Sequence, residues 1–182
     1  MELKYIHLSE LFGEPISAQK VEELADRLLD DPRFAKIADA AQGKKNIEKR
    51  AETLSWLYLL DGSIPCGAQV YYEKSGKPQS DGVFFSVSHS DGLCAIAIAD
   101  GPIGLDIERL REFPSRESFA ERYFSENERA AARDLVGFFG VWTKKEACFK
   151  KTGEWVDTSA ESIETSELDL CGERYIVSIC SK

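Results

Sequence analysis

Residues 103–109 run Ile-Gly-Leu-Asp-Ile-Glu-Arg, and the alternation of Ile103, Leu105 and Ile107 with Gly104, Asp106 and Glu108 dictates an extended strand. Side chains on a strand point to opposite faces in turn. The apolar three can therefore anchor in a core while Asp106 and Glu108 emerge together on the other side. Two neighbouring carboxylates repel unless a cation or a proton lies between them. Gly104, on the acidic side, is expected to leave room for a ligand to approach the backbone. Alone, an Asp-x-Glu strand is more often a wet acidic surface than a site.

A second segment changes that balance. Trp142-Thr-Lys-Lys-Glu-Ala-Cys-Phe-Lys150 reads as part of a helix over Val141–Thr152, closed by Gly153. At three- and four-residue spacing Trp142, Glu146, Phe149 and Lys150 share one face. An ordinary Glu146–Lys150 surface pair, worth about 0.2–0.5 kcal/mol, needs no aromatic frame. Three carboxylates (Asp106, Glu108, Glu146) with lysines beside them suit a hard divalent cation held against phosphate oxygens, and Mg²⁺ is such a cation. Zinc is less plausible, because His7 and His89 are the only histidines and neither has a spaced partner. His89, at the end of Ser86-Val87-Ser88-His89-Ser90, could donate to a phosphate with help from Ser88. A lone turn histidine is more often a local hydrogen bonder.

The bulk properties bound the rest. The 182 residues suit one domain or two small halves sharing a core, with ample chain to bury one. No apolar run approaches the roughly 20 residues of a membrane span. The start, Met1-Glu2-Leu3-Lys4-Tyr5, does not resemble a signal peptide, so a cytoplasmic location is expected. A net charge of −9 argues against a general nucleic-acid binder. Basic islands at Lys44, Lys45, Lys49 and Arg50, and at Lys144, Lys145, Lys150 and Lys151, suggest local anion sites, although either alone is explained by a solvated helix face. The five cysteines (Cys66, Cys94, Cys148, Cys171, Cys180) include no Cys-x-x-Cys pair and indicate neither a disulfide framework nor a zinc knuckle. Cys148 lies within the helix motif but lacks a nearby histidine to activate it.

Along the chain, periodicity predicts helices over Val21–Leu29 and Lys44–Leu60, a strand over Val70–Glu73, and a turn at Ser75–Pro78. A hairpin follows over Val83–Ser88 and Leu93–Ala99, then the strand Ile103–Arg109. A loop from Arg111 leads to a short helix, Glu117–Tyr123, and Ser125-x-x-Glu128 has capping-box spacing before another. After the Glu146 helix, Ser162–Leu170 and Glu173–Cys180 read as antiparallel strands.

Gly104-x-Asp106-x-Glu108 and Trp142-x-x-Lys145-Glu146-x-x-x-Lys150 resemble the paired motifs of the 4′-phosphopantetheinyl transferases, in particular the larger, pseudo-dimeric class. Gly76-Lys77-Pro78, Phe85–Ser90 and Tyr123–Glu128 extend the resemblance, in the family's order, from about Lys44 to Gly153. It implies an α+β fold of two similar halves, each a small antiparallel sheet packed with a long helix, with the active site in the cleft between them. Residues 1–100 would form the half that contacts the nucleotide of coenzyme A, and 101–182 the half carrying the metal and catalytic motifs. The implied reaction moves the 4′-phosphopantetheine arm of coenzyme A to a serine hydroxyl of an apo acyl or peptidyl carrier protein, releasing 3′,5′-ADP. By the same resemblance Asp106, Glu108 and Glu146 hold Mg²⁺, Glu146 serves as base, and Lys150 neutralises phosphate charge. Ser88 and His89 bind phosphate oxygens, Lys77 and Arg50 (or Lys45 or Lys49 in its place) reach the adenosine end with its 3′-phosphate, and Lys145 belongs to the coenzyme A-binding set.

One chain carrying both halves needs no partner copy, so a monomer is expected. The segment Phe113–Phe124, with Arg116 and Arg122, is the expected docking surface for an acidic carrier. The rival readings are a non-catalytic module that binds coenzyme A or a carrier protein, and a metal-dependent phosphate-ester hydrolase.

Overall fold

Helices and small antiparallel sheets alternate along the chain in an α+β arrangement of two units, Met1–Gly101 and Pro102–Lys182. The computed structural model describes residues 1–158, 163–170 and 172–181.

The first unit begins with strand β1 (Glu2–His7), followed by helices α1 (Leu8–Phe12), α2 (Ala18–Leu29), α3 (Ala35–Gln42) and α4 (Ile47–Leu60). A two-stranded ribbon, β2 (Val70–Tyr72) and β3 (Pro78–Ser80), leads to the hairpin β4 (Phe84–Ser90) and β5 (Leu93–Ala99). The main sheet has the order β1-β5-β4, antiparallel throughout. Its Phe85, Ile96 and Ile98 pack in one core with Leu54, Leu57 and Leu60 of α4, Val21 and Leu28 of α2, and Ile37 of α3. Helix α4 starts at Ile47, where its apolar stripe begins and three residues later than the expected Lys44. The Asn46 side chain accepts from the N–H of Lys49 at 2.9 Å and fixes the first turn there. Strand β1 and helices α1 and α3 extend what periodicity predicts. The half-polar Glu2–His7 becomes a strand through its ladder with β5, a tertiary contact that local pattern does not carry.

The second unit contains β6 (Gly104–Arg109), α5 (Arg116–Tyr123), α6 (Glu126–Ala131), α7 (Leu135–Thr152), β7 (Ile163–Leu170) and β8 (Glu173–Cys180). Its sheet has the order β6-β8-β7, antiparallel. Ser162, the expected first residue of β7, and Cys171 lie outside the described residues. The long helix begins at Leu135, six residues before the expected Val141, because Asp134 accepts from the N–H of Gly137 at 2.7 Å. This extra turn and a half brings Phe138 and Phe139 into an aromatic cluster with Phe113, Phe119 and Phe124. Gly153 ends α7 in the left-handed conformation, φ 80°, where a Cβ would be strained.

The sheet face carrying Gly104 and Asp106 is not open. Across the ladder these residues oppose Cys180 and Ser178. Helix α7 lies on that face: Thr143 Oγ1 and Ser178 Oγ are 2.7 Å apart, and the Cys148 and Cys180 sulfurs 3.0 Å apart. Leu105 and Ile107, on the opposite face, are buried as well. Among the described residues no helix is long and apolar enough to cross a membrane.

Candidate active site

The role expected for Gly104 changes. A Cβ there would lie 1.8 Å from the carbonyl oxygen of Ala147 and 2.8 Å from the nitrogen of Lys151. The space is occupied by the backbone of α7, and what approaches the strand is the helix itself. Ala147 and Lys151 each follow a residue of the expected site, so pressing this turn onto Gly104 sets Glu146 and Lys150 beside the strand's carboxylates. Lys150 Nζ donates to Asp106 Oδ1 at 2.8 Å, and Asp106 is buried. Glu108, one pleat further on, is less covered and pairs with Arg111 at 3.2 Å.

Glu146 is half-buried. Burial pushes its carboxyl above the ordinary carboxylate range, the negative charge of Asp106 adds to this, Lys150 opposes it and Glu108 adds again. Asp106, Glu108, Glu146 and Lys150 thus form one electrostatic neighbourhood. Among the described residues no group of three or more His, Cys, Asp or Glu side chains already surrounds a single point as a metal cage. The donor chemistry nevertheless fits a hard divalent cation: all oxygen, excess negative charge, and one carboxylate that already favours binding a positive species.

The aromatic frame inferred around Glu146 is present and larger than expected. Trp155, just past the helix, stacks on Phe149 at 4.7 Å and on Trp142 at 5.9 Å between ring centroids. Trp142 in turn meets Phe119 edge to face. A tryptophan two residues beyond the closing glycine was the available signal for this lid over the helix face.

Lys145 is placed elsewhere. It is buried, and its Nζ donates to Glu128 Oε1 at 3.1 Å, Glu128 Oε2 at 3.0 Å and the Val156 carbonyl at 3.1 Å. Glu128 also accepts from the N–H and hydroxyl of Thr158 and, as the capping-box residue, from the N–H of Ser125. Burial alone would raise the Glu128 carboxyl. The N–H groups of Thr158 and Ser125, Lys145 and the Thr158 hydroxyl outweigh it and hold the carboxyl below its ordinary value. Such a depressed acid stabilises the fold above its unfolded-state value, and that contribution is lost as pH falls through the folded value. Glu128→Gln is accordingly expected to cost roughly 1–3 kcal/mol at neutral pH. In urea titrations the gap to wild type should narrow as pH drops below the ordinary glutamate value of 4.5. The spacing of Ser125 and Glu128 revealed the cap but not that one carboxylate also serves Lys145 and Thr158.

Cys148 and Cys180 are buried between α7 and β8, a packing position for Cys148.

The remaining expected residues belong to the first unit. Ser88 is buried on β4 and His89, its neighbour, is 46% exposed at the side chain with Glu52 Oε2 of α4 at 3.6 Å from Nε2. Arg50 Nη2 pairs with Glu22 of α2 at 2.7 Å, and its Nε is buried without a hydrogen-bond partner among the described residues. Lys77 follows the turn of the β2–β3 ribbon; burial lowers its ammonium from the ordinary value, opposed by Glu73. Nearby, Lys44 Nζ donates to Thr53 of α4 at 2.7 Å.

The family model described as the 4′-phosphopantetheinyl transferase superfamily matches residues 102–177, a span that holds β6 and α7. The 4′-phosphopantetheinyl transferase AcpT of Salmonella typhi is 32% identical over 163 residues, covering 83% of this chain and 81% of its own. The 4′-phosphopantetheinyl transferase HetI of a Nostoc species is 37% identical over 116 residues, 57% of this chain and 48% of its own. The 4′-phosphopantetheinyl transferase gsp of Aneurinibacillus migulanus is 38% identical over 86 residues, 43% and 35% respectively.

Proposed function

We propose the following reaction for this protein, which belongs to the 4′-phosphopantetheinyl transferase superfamily and is an enzyme of that kind. The donor is coenzyme A and the acceptor a serine hydroxyl on an apo acyl or peptidyl carrier protein. The hydroxyl oxygen attacks the phosphorus that bears the pantetheine arm, the pyrophosphate bridge breaks, and 3′,5′-ADP leaves. The observation that carries this reading is the juxtaposition of Asp106, Glu146 and Lys150 produced by α7 on Gly104.

Glu146 takes the serine proton. A half-buried carboxylate whose proton affinity is raised is a better base than an exposed one. Lys150 is held at Asp106, ready to neutralise charge that develops on the phosphate oxygens. Asp106, Glu108 and Glu146 would hold Mg²⁺, which when bound supplies charge neutralisation for the pyrophosphate. His89 and Ser88 bind phosphate oxygens, and Lys77 and Arg50 serve the adenosine end, Arg50 by exchanging Glu22 for the 3′-phosphate. Lys145, spent on Glu128, supports the coenzyme A set indirectly by fixing the segment that carries Trp155. The carrier docks along α5, where Arg122 lies over the exposed Tyr123 ring. The protein works as a monomer in the cytoplasm.

Intact-mass spectrometry tests this directly. An apo carrier protein incubated with the enzyme, coenzyme A and Mg²⁺ is expected to gain one phosphopantetheine arm, and EDTA to abolish the gain. No gain across several unrelated carriers, with coenzyme A still bound, would overturn the reaction in favour of a binding module.

A further inference from the structure

In the first unit His89 is paired with a carboxylate, Glu52, to which the reaction above gives no role. His89 lies on the same side of β4 as Phe85 and Val87, both packed in the helical core, and so meets α4 at the core's edge. There Glu52 Oε2 stands 3.6 Å from His89 Nε2. That separation exceeds a hydrogen bond and is that of an ion pair.

A second observation places the same carboxylate. Cys94 is the ladder partner of His89 on β5. Its thiol is pushed up by burial first and then by the charge of Glu52. Glu52 is itself held: Lys49, one turn earlier on α4, donates to both its oxygens, at 3.0 and 2.8 Å. The Glu52 side chain is 20% exposed, Lys49 57% and His89 46%. The carboxylate is therefore sheltered, the competing ammonium is in solvent where its charge is screened, and the imidazole is partly exposed.

We propose that Glu52 is a positioning residue that keeps His89 protonated, so that the ring meets a phosphate of the donor as a cation. The proposal rests on the reading of His89 as a phosphate ligand. An unperturbed imidazole, pKa about 6.5, is mostly neutral at cytoplasmic pH and offers phosphate only a neutral donor. A carboxylate at ion-pair distance favours the charged ring. Within the first unit, α4 presents Glu52 to the ring with Lys49 behind it, and β5 presents Cys94, whose raised thiol is neutral.

With two histidines in the chain, NMR titration of the imidazole protons gives two curves, assigned with His89→Gln. Glu52→Gln is expected to lower the His89 midpoint by roughly 0.5–1 unit and leave His7 in place, with Glu52→Asp retaining most of the wild-type value. Near neutral pH Glu52→Gln should raise KM for coenzyme A several-fold, with kcat at saturation little changed. The KM difference should close by about pH 5.5, where either ring is protonated. In a His89→Gln background Glu52→Gln should add nothing to KM. A midpoint that does not move overturns the proposal whatever the kinetics. A midpoint that moves while KM stays constant at every pH overturns the role in donor binding and leaves the transferase standing. Absence of transfer by the wild-type protein is a separate result, removing the reaction and this role together.

Discussion

Glu146→Gln is expected to abolish transfer while making the metal-free protein more stable. Loss of a positioned base, together with one oxygen ligand, predicts a fall in kcat of about 10²–10⁴-fold. The stability change follows from the sign of the carboxyl's shift. Burial and the charges of Asp106 and Glu108 raise it above the ordinary value, so the native state binds the proton more tightly than the unfolded chain. Stability then falls as pH rises from the unfolded-state value to the folded one, and at neutral pH the charged Glu146 is a net cost. The amide keeps the shape and removes the charge. Relief of this kind at a functional site is worth on the order of 1 kcal/mol, or a Tm rise of about 3 °C in a chain of this size. The gain should shrink toward zero below pH 4.5, the ordinary glutamate value.

The same variant separates catalysis from cation binding. Mg²⁺ should raise the Tm of the wild-type protein by mass action, and much less that of Glu146→Gln. A wild-type Tm indifferent to Mg²⁺ and EDTA would remove the assignment of Asp106, Glu108 and Glu146 to the metal. A Glu146→Gln protein less stable than wild type at pH 7 would show that the carboxylate is satisfied in the fold, and so poorly suited to act as a base.

What could be seen in the sequence divides along a physical line. Elements stabilised locally were visible: the hairpin of β4 and β5, the amphipathic α2 and α4, the capping box at Ser125 and Glu128, and the glycine stop at Gly153. Elements that exist because of distant partners were not. Strand β1 depends on β5, some ninety residues on in the ladder Glu2–Ile98. The first turns of α7, Leu135-Val-Gly-Phe-Phe-Gly140, contain two glycines and owe their helicity to the Asp134 cap and the aromatic cluster. In the site, alternation and helical spacing brought Asp106, Glu146 and Lys150 to attention. Charge partners at long range (Glu22 for Arg50, Glu128 for Lys145, Glu52 for His89) left no local trace. Gly104 carried the subtlest information, since its missing side chain answers to α7 more than forty residues later.

That contact yields the other large expected effect. Gly104→Ala would place a methyl group 1.8 Å from the Ala147 carbonyl oxygen, far inside any real contact, and against backbone that cannot rotate away. Strand β6 is paired with β8 along its length, and α7 is tied to the same sheet through Thr143 and Ser178, so neither side yields alone. The helix must lift or tilt. Overpacking of this severity costs about 3 kcal/mol, and a Tm fall of roughly 10 °C is expected. The displaced turn carries Glu146 and Lys150, so a shift near 1 Å should also cost about 10²-fold in kcat in the fraction that folds. Gly140→Ala on the same helix supplies the comparison. A Cβ there meets nothing within 4 Å, so the substitution should stabilise by roughly 0.5–1 kcal/mol and leave transfer intact. If the two alanines behaved alike in thermal unfolding, the approach of α7 to Gly104 would not be what fixes the site. If Gly104→Ala lost stability but kept kcat, the position of Glu146 and Lys150 would have to be set by the Lys150–Asp106 pair.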